Sequence, residues 1–123
     1  MSKSRTLTEA ELEIMQVIWE LERATVRQVH KVLNERRQLA YTTVMTMMKI
    51  LEDKGHLTKT KAGRAFVYEP AHAKGQVVSS MVDDFVDRVF GGSARPLVMN
   101  LVKDSKLSSK DLEEIARMIE DSE

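Results

Sequence analysis

The stretch from Leu39 to Pro70, LAYTTVMTMMKILEDKGHLTKTKAGRAFVYEP, constrains the fold more tightly than any other part of the chain. Tyr41, Val44, Met48 and Leu51 recur at steps of three, four and three, the spacing of one buried helical stripe. The other side of that helix carries Thr42, Thr43, Met45, Thr46 and Lys49: short hydroxyls, one flexible apolar group and one cation. Tyr41 can be assigned to either face. Gly55 suits the left-handed residue that stops a helix. Leu57 to Lys61 then lead into Ala62-Gly63, and Arg64 to Tyr68 return with Phe66 and Tyr68 alternating, which predicts a β-hairpin with Lys59, Lys61 and Arg64 along it. A helix with a short-chain polar face beside a basic hairpin is what a winged helix-turn-helix presents to a DNA groove.

Upstream, Thr8-Glu9-Ala10-Glu11 and Thr25-Val26-Arg27-Gln28 both read as capping boxes, a threonine cap with Glu or Gln three residues on. The first opens a helix to about Leu21, with Ile14, Val17, Ile18 and Leu21 in one stripe and Leu12, Met15 and Trp19 in an adjoining one. So broad an apolar surface implies burial on two sides, and Trp19 fits either core or a subunit contact. The second opens a helix to about Arg36, with Val29, Val32 and Leu33 inward. Asn34 to Gln38 is too short for a linker. The predicted connectivity is helix, helix, short turn, helix, hairpin, with 25–36 as supporting helix and 41–54 as recognition helix.

Past Pro70 the character changes. Val77, Val78, Met81, Val82, Phe85, Val86, Val89 and Phe90 cover roughly 220° of a helical wheel, well beyond a usual stripe. Gly91-Gly92 breaks this helix. Ser93 is placed to cap a short helix with Leu97, Val98, Leu101 and Val102 on one side. Ser108 to Asp111 starts a last one with Leu112, Ile115, Ala116 and Ile119 at amphipathic spacing. Three such helices need a second surface. Either they fold back on their own domain, or they dimerise through Val78, Met81, Val82, Phe85, Val89, Leu97, Leu101, Leu112, Ile115 and Ile119. The dimer is the expectation, because palindromic DNA is read by two-fold proteins. The expected fold is mainly α with a small β-hairpin wing: a winged-helix DNA-binding domain at 1–70 and a helical dimerisation region at 71–123.

Composition narrows the functional classes. The 123 residues carry no net charge, yet 1–70 holds 12 Lys and Arg against 9 Asp and Glu, and 71–123 holds 7 against 10. Arg27, Lys31, Arg36, Arg37, Lys49, Lys54, Lys59, Lys61 and Arg64 concentrate positive potential where the motif lies. With no cysteine there is no disulfide, thiolate zinc site or thiol nucleophile. His30, His56 and His72 lack ligand-like spacing, so no metal or other cofactor is expected. Nor does any nucleophile motif or phosphate-cradling glycine loop point to an enzyme. No apolar run approaches the ~18 residues of a membrane span, and the first residues lack the apolar core of a signal peptide, so the expected location is the cytoplasm.

LTEAELEIMQVIWE at 7–20, TTVMTMMKILEDKGHL at 42–57 and KAGRAFVYEP at 61–70 resemble the penicillinase-repressor family, that of BlaI, MecI and CopY. The resemblance implies dimeric winged-helix repressors that bind inverted repeats in promoters. Thr43 and Thr46 match the family's recurrent threonines on the recognition helix, Lys54-Gly55 its basic-glycine end, and Gly63-Arg64 its wing, which Tyr68 and Pro70 close. Ile50 stands where members often carry arginine. The C-terminal cysteine pair of CopY-like members is absent, which argues against copper sensing. In the BlaI and MecI branch the resemblance further implies a membrane-bound zinc metalloprotease sensor that cuts an asparagine–phenylalanine bond. VMNLVKD looks like that region, and Asn100-Leu101 would be the equivalent bond, with leucine in place of phenylalanine. A reading from a different class is a winged-helix adaptor that binds protein through the same helix and wing, without sequence-specific DNA binding.

Overall fold

The computed structural model describes residues 7–123. Two compact units divide the chain, one ending at Val78 and one beginning at Ser79.

The first unit opens with α1 (Glu9–Leu21), α2 (Val26–Arg36) and α3 (Tyr41–Asp53). Both predicted capping boxes form. The Thr8 N–H donates to Glu11 Oε1 at 2.9 Å and the Glu11 N–H to Thr8 Oγ1 at 3.1 Å. Thr25 and Gln28 repeat the exchange at 2.8 and 3.2 Å. Each box satisfies two of the N–H groups that a helix start leaves unpaired. Ile14, Val17, Ile18, Val29, Leu33, Val44, Met48 and Leu51 meet in one fully buried core, each contributing about 1.5–3 kcal/mol by leaving water. One residue assigned inward lies outward, as does one that the sequence left open to either face. Leu21, in the last turn of α1, is exposed because the chain leaves the core there through Glu22, a non-glycine at φ 72°. Tyr41 is exposed too, its ring set edge-on to His30 at 5.6 Å.

Strands β1 (Leu57–Ala62) and β2 (Ala65–Pro70) form the hairpin, with Leu57 opposite Pro70 and Ala62 opposite Ala65. Gly63 at φ 65° takes the first turn position, where a two-residue turn that follows strand twist requires the left-handed region. Leu57 and Tyr68 bury the base of the hairpin. Ala24 and Tyr68 exchange backbone hydrogen bonds at 2.9 and 2.8 Å, stitching the α1–α2 connection onto β2 as an isolated bridge.

Helices α4 (Lys74–Phe90), α5 (Arg95–Lys103) and α6 (Ser109–Ser122) follow. The Trp19 indole N–H donates to the carbonyl of His72, two residues before α4 begins, at 3.1 Å. Gly91 and Gly92 end α4 at φ 62° and 89°. The expected Ser93 cap does not form: Ala94, already in helical geometry, occupies the cap position with no side-chain bond, and Pro96 sits in the first turn. Ser108 does cap α6, with a reciprocal pair to Asp111 at 2.9 and 3.1 Å. The hydrogen bonds from Ser108 hold the Asp111 carboxyl below its usual pKa. Helices α4, α5 and α6 do not pack closely on one another. From Ser79 onward Val86 is the one buried side chain among the described residues.

Candidate nucleic-acid interface

The core side of α3 fixes what its other side offers. Val44, Met48 and Leu51 are fully buried, so the opposite face must point to solvent. It carries Thr42, Thr46, Lys49 and Asp53 along its middle, Thr43 and Ile50 on one flank and Met45 on the other, and all seven are exposed. Ile50 and Met45 are large apolar groups left 40% and 45% accessible. The helix starts without help. Ala40 at the cap makes no side-chain bond, so the first N–H groups of α3 are not satisfied by a cap.

Beside this face stands the hairpin. Lys61 pairs across the ladder with Phe66, and Arg64 completes the turn after Gly63; all of these are exposed. Alternation along the strands puts Leu57, Lys59 and Lys61 on one side together with Tyr68 and Phe66.

The cations are not equivalent. Lys54 Nζ reaches both carboxylate oxygens of Glu11 at 3.0 Å, a pair that ties the end of α3 to the start of α1. Burial alone would raise the Glu11 pKa. The Thr8 N–H and Lys54 outweigh that and hold it below the ordinary glutamate value. Lys59 Nζ lies 3.5 Å from Glu52 Oε1 on α3 and 4.5 Å from the centre of the Phe66 ring. Arg37 is engaged with Glu13 at 2.8 Å. Lys49 approaches Asp53 only to 3.9 Å, with both groups well exposed, a contact of little energy. Lys61 and Arg64 form no ion pair among the described residues.

The structure therefore brings Thr42, Thr43, Met45, Thr46 and Lys49 onto one exposed helix face, with Lys61 and Arg64 at the hairpin tip. Lys59 sits apart, held between Glu52 and Phe66. Ile50, singled out in the sequence as standing where relatives often carry arginine, lies on the exposed flank. One feature of this region escaped the sequence reading: Glu52 as a partner for a wing cation. That contact joins two elements and has no periodic signature.

Of the residues expected at a dimer contact, Val78, Val82, Phe85, Val89, Ile115 and Ile119 are exposed, and Met81, Leu97, Leu101 and Leu112 are half-covered. Met99 and Met118 are exposed as well, at 56% and 70%. Asn100 lies inside α5 with its carbonyl accepting from the Asp104 N–H at 3.0 Å. The Asn100-Leu101 bond is thus within a helix, with Asn100 exposed and Leu101 half-covered.

The penicillinase repressor family pattern matches residues 7–121. The penicillinase repressor of Bacillus licheniformis is 30% identical over 121 residues, covering 98% of this chain and 94% of that one. Among solved structures, the DNA-binding domain of the repressor BlaI superposes with a TM-score of 0.54 at 36% identity, over 60% of this chain and 90% of that one. The monomeric form of Bacillus licheniformis BlaI, solved in complex with the blaP half-operator, superposes with a TM-score of 0.52 at 36% identity, over 61% of this chain and 92% of that one. The α1-α2-α3-hairpin arrangement is a winged helix, and the chain belongs to the penicillinase repressor family.

Proposed function

We propose that this protein is a homodimeric, sequence-specific DNA-binding repressor of transcription, acting in the cytoplasm on an inverted-repeat operator. The observation that carries the reading is the exposed face of α3, Thr42, Thr43, Met45, Thr46 and Lys49, beside Lys61 and Arg64, exposed cations with no ion pair among the described residues. A B-DNA major groove admits one α-helix, and threonine hydroxyls can meet base edges or phosphates there. The hairpin cations then track the backbone or enter the minor groove. The family supports this use, since a BlaI relative was solved on a half-operator.

The uncovered apolar side chains of α4, α5 and α6 supply the dimer contact in this reading. Two recognition helices held about one helical turn apart, ~34–36 Å, would read the two half-sites. Repression is steric, by occupation of the promoter. Release follows cleavage by a membrane-bound metalloprotease sensor at Asn100-Leu101, which parts the reading heads because each alone makes half the phosphate contacts. That bond is helical here, so α5 has to open before a protease can bind it in extended form.

A fluorescence anisotropy titration on duplexes tiling the protein's own promoter, at several salt concentrations, tests the proposal. Tight, salt-dependent binding to one inverted repeat with two chains per duplex is expected. Equal, weak binding to every duplex would instead favour a winged-helix adaptor for another protein.

A further inference from the structure

Resting on the DNA-binding reading, the chemistry of the α3 face also says how bases are told apart. Strong direct readers of base edges are Arg or Lys on guanine and Asn or Gln on adenine. Across Tyr41–Asp53 there is no Arg, Asn or Gln, and Lys49 is the one cation, 3.9 Å from Asp53 with both groups well exposed. What the face offers instead is methyl and methylene surface. Met45 and Ile50 stand 45% and 40% exposed on opposite flanks of the Thr42–Thr46–Lys49 ridge, and the threonines add their own methyl groups. In the major groove the one apolar feature of a base pair is the thymine 5-methyl. The cations Lys49, Lys61 and Arg64 around the same face select a polyanion as its occupant, rather than an apolar protein surface.

We infer that Met45 and Ile50 are specificity-determining residues that recognise thymine 5-methyl groups, so that each half-site places thymines beneath the two flanks of α3. The contact buries one methyl against one apolar side chain. Its loss should weaken binding about fourfold per methyl, the value of one buried CH₂ group.

The test removes the methyl from the DNA and leaves the protein intact. On the tightest promoter duplex, each thymine is replaced in turn by deoxyuridine, symmetrically in both half-sites, and affinity is measured by anisotropy. At least two positions should lose about fourfold per half-site. Ile50→Ala should abolish the penalty at one of them and Met45→Ala at the other, while Lys49→Ala weakens all duplexes alike and leaves both penalties in place. The inference is overturned if every deoxyuridine duplex binds within twofold of its parent, or if the penalties survive in both alanine variants. Binding that is equal on all duplexes, parent included, overturns the repressor reading and this inference with it. A parent duplex bound tightly and indifferent to deoxyuridine overturns this inference alone.

Discussion

Single side chains decide how much of the positive potential around α3 is available to a ligand. Lys54 is committed to Glu11, which is 5% exposed and also bonded to the Thr8 N–H. A carboxylate held this way should stabilise the fold, and Glu11→Gln, which keeps the capping geometry, should cost about 2 kcal/mol at neutral pH, read from denaturant melts. Because the Glu11 pKa is depressed on folding, its stabilisation is complete above the unfolded value of 4.5 and is lost as pH falls through the lower folded value. The gap between wild type and Glu11→Gln should therefore close on acidification below that range. Lys59 is the second committed cation, bridging Glu52 and the Phe66 ring. Its charge is already matched, so Lys59→Met should leave the salt dependence of DNA binding nearly unchanged. Lys61→Met and Arg64→Met should each flatten it by about 0.9. A flattening of that size in Lys59→Met would make Lys59 a phosphate ligand after all.

At the scale of elements, the two ends of the reading motif set its geometry. Gly63 at φ 65° is the turn of the wing, and a Cβ there would meet open space, so the cost of Gly63→Ala is backbone strain alone. It should lower stability by about 1–2 kcal/mol, seen as a shifted denaturation midpoint. Helix α3 begins at Ala40 without a cap, whereas α1 and α2 begin on capping boxes. Ala40→Asp should therefore stabilise the free protein by about 1 kcal/mol. The same carboxylate, set at the entry of a helix that faces phosphates, should weaken DNA binding; tighter binding would contradict the proposed orientation of α3. These ends also show what the sequence made legible. Threonine caps, the Val44–Met48–Leu51 stripe and the hairpin turn at Gly63 are local patterns, although the turn itself is Gly63-Arg64, one residue later than Ala62-Gly63. Tyr41 shares the stripe's period but lies one turn beyond the core, against His30, so periodicity alone could not place it. The Ser93 cap does not form because α5 starts at Arg95, which leaves Ala94, with no side-chain acceptor, at the cap position. The Glu11–Lys54, Lys59–Glu52 and Ala24–Tyr68 contacts join separate elements and leave no trace in local order.

For the whole molecule, the helices after Pro70 pose a problem that one chain does not solve. Val78, Val82, Phe85 and Val89 line α4 at steps of four, three and four and all remain exposed, while α4, α5 and α6 fail to cover one another. Contiguous apolar surface of this kind marks an interaction site. If a second copy covers it, carboxylates placed there should divide assembly from folding. Val82→Asp with Val89→Asp alters two side chains that the single chain leaves 47% and 55% accessible, so far-ultraviolet circular dichroism should stay that of the parent. Sedimentation should report a monomer for the double variant and a dimer for wild type. The dimer's melting temperature should rise with protein concentration, as mass action demands, and the variant's should not. On an inverted-repeat duplex the variant should bind more weakly and with about half the salt slope per binding event, since each event then neutralises one half-site's phosphates. On a single half-site the two proteins should converge. A variant that remains dimeric would move the interface off this α4 stripe and onto the exposed faces of α5 and α6, where Met99, Met118 and Ile119 lie open.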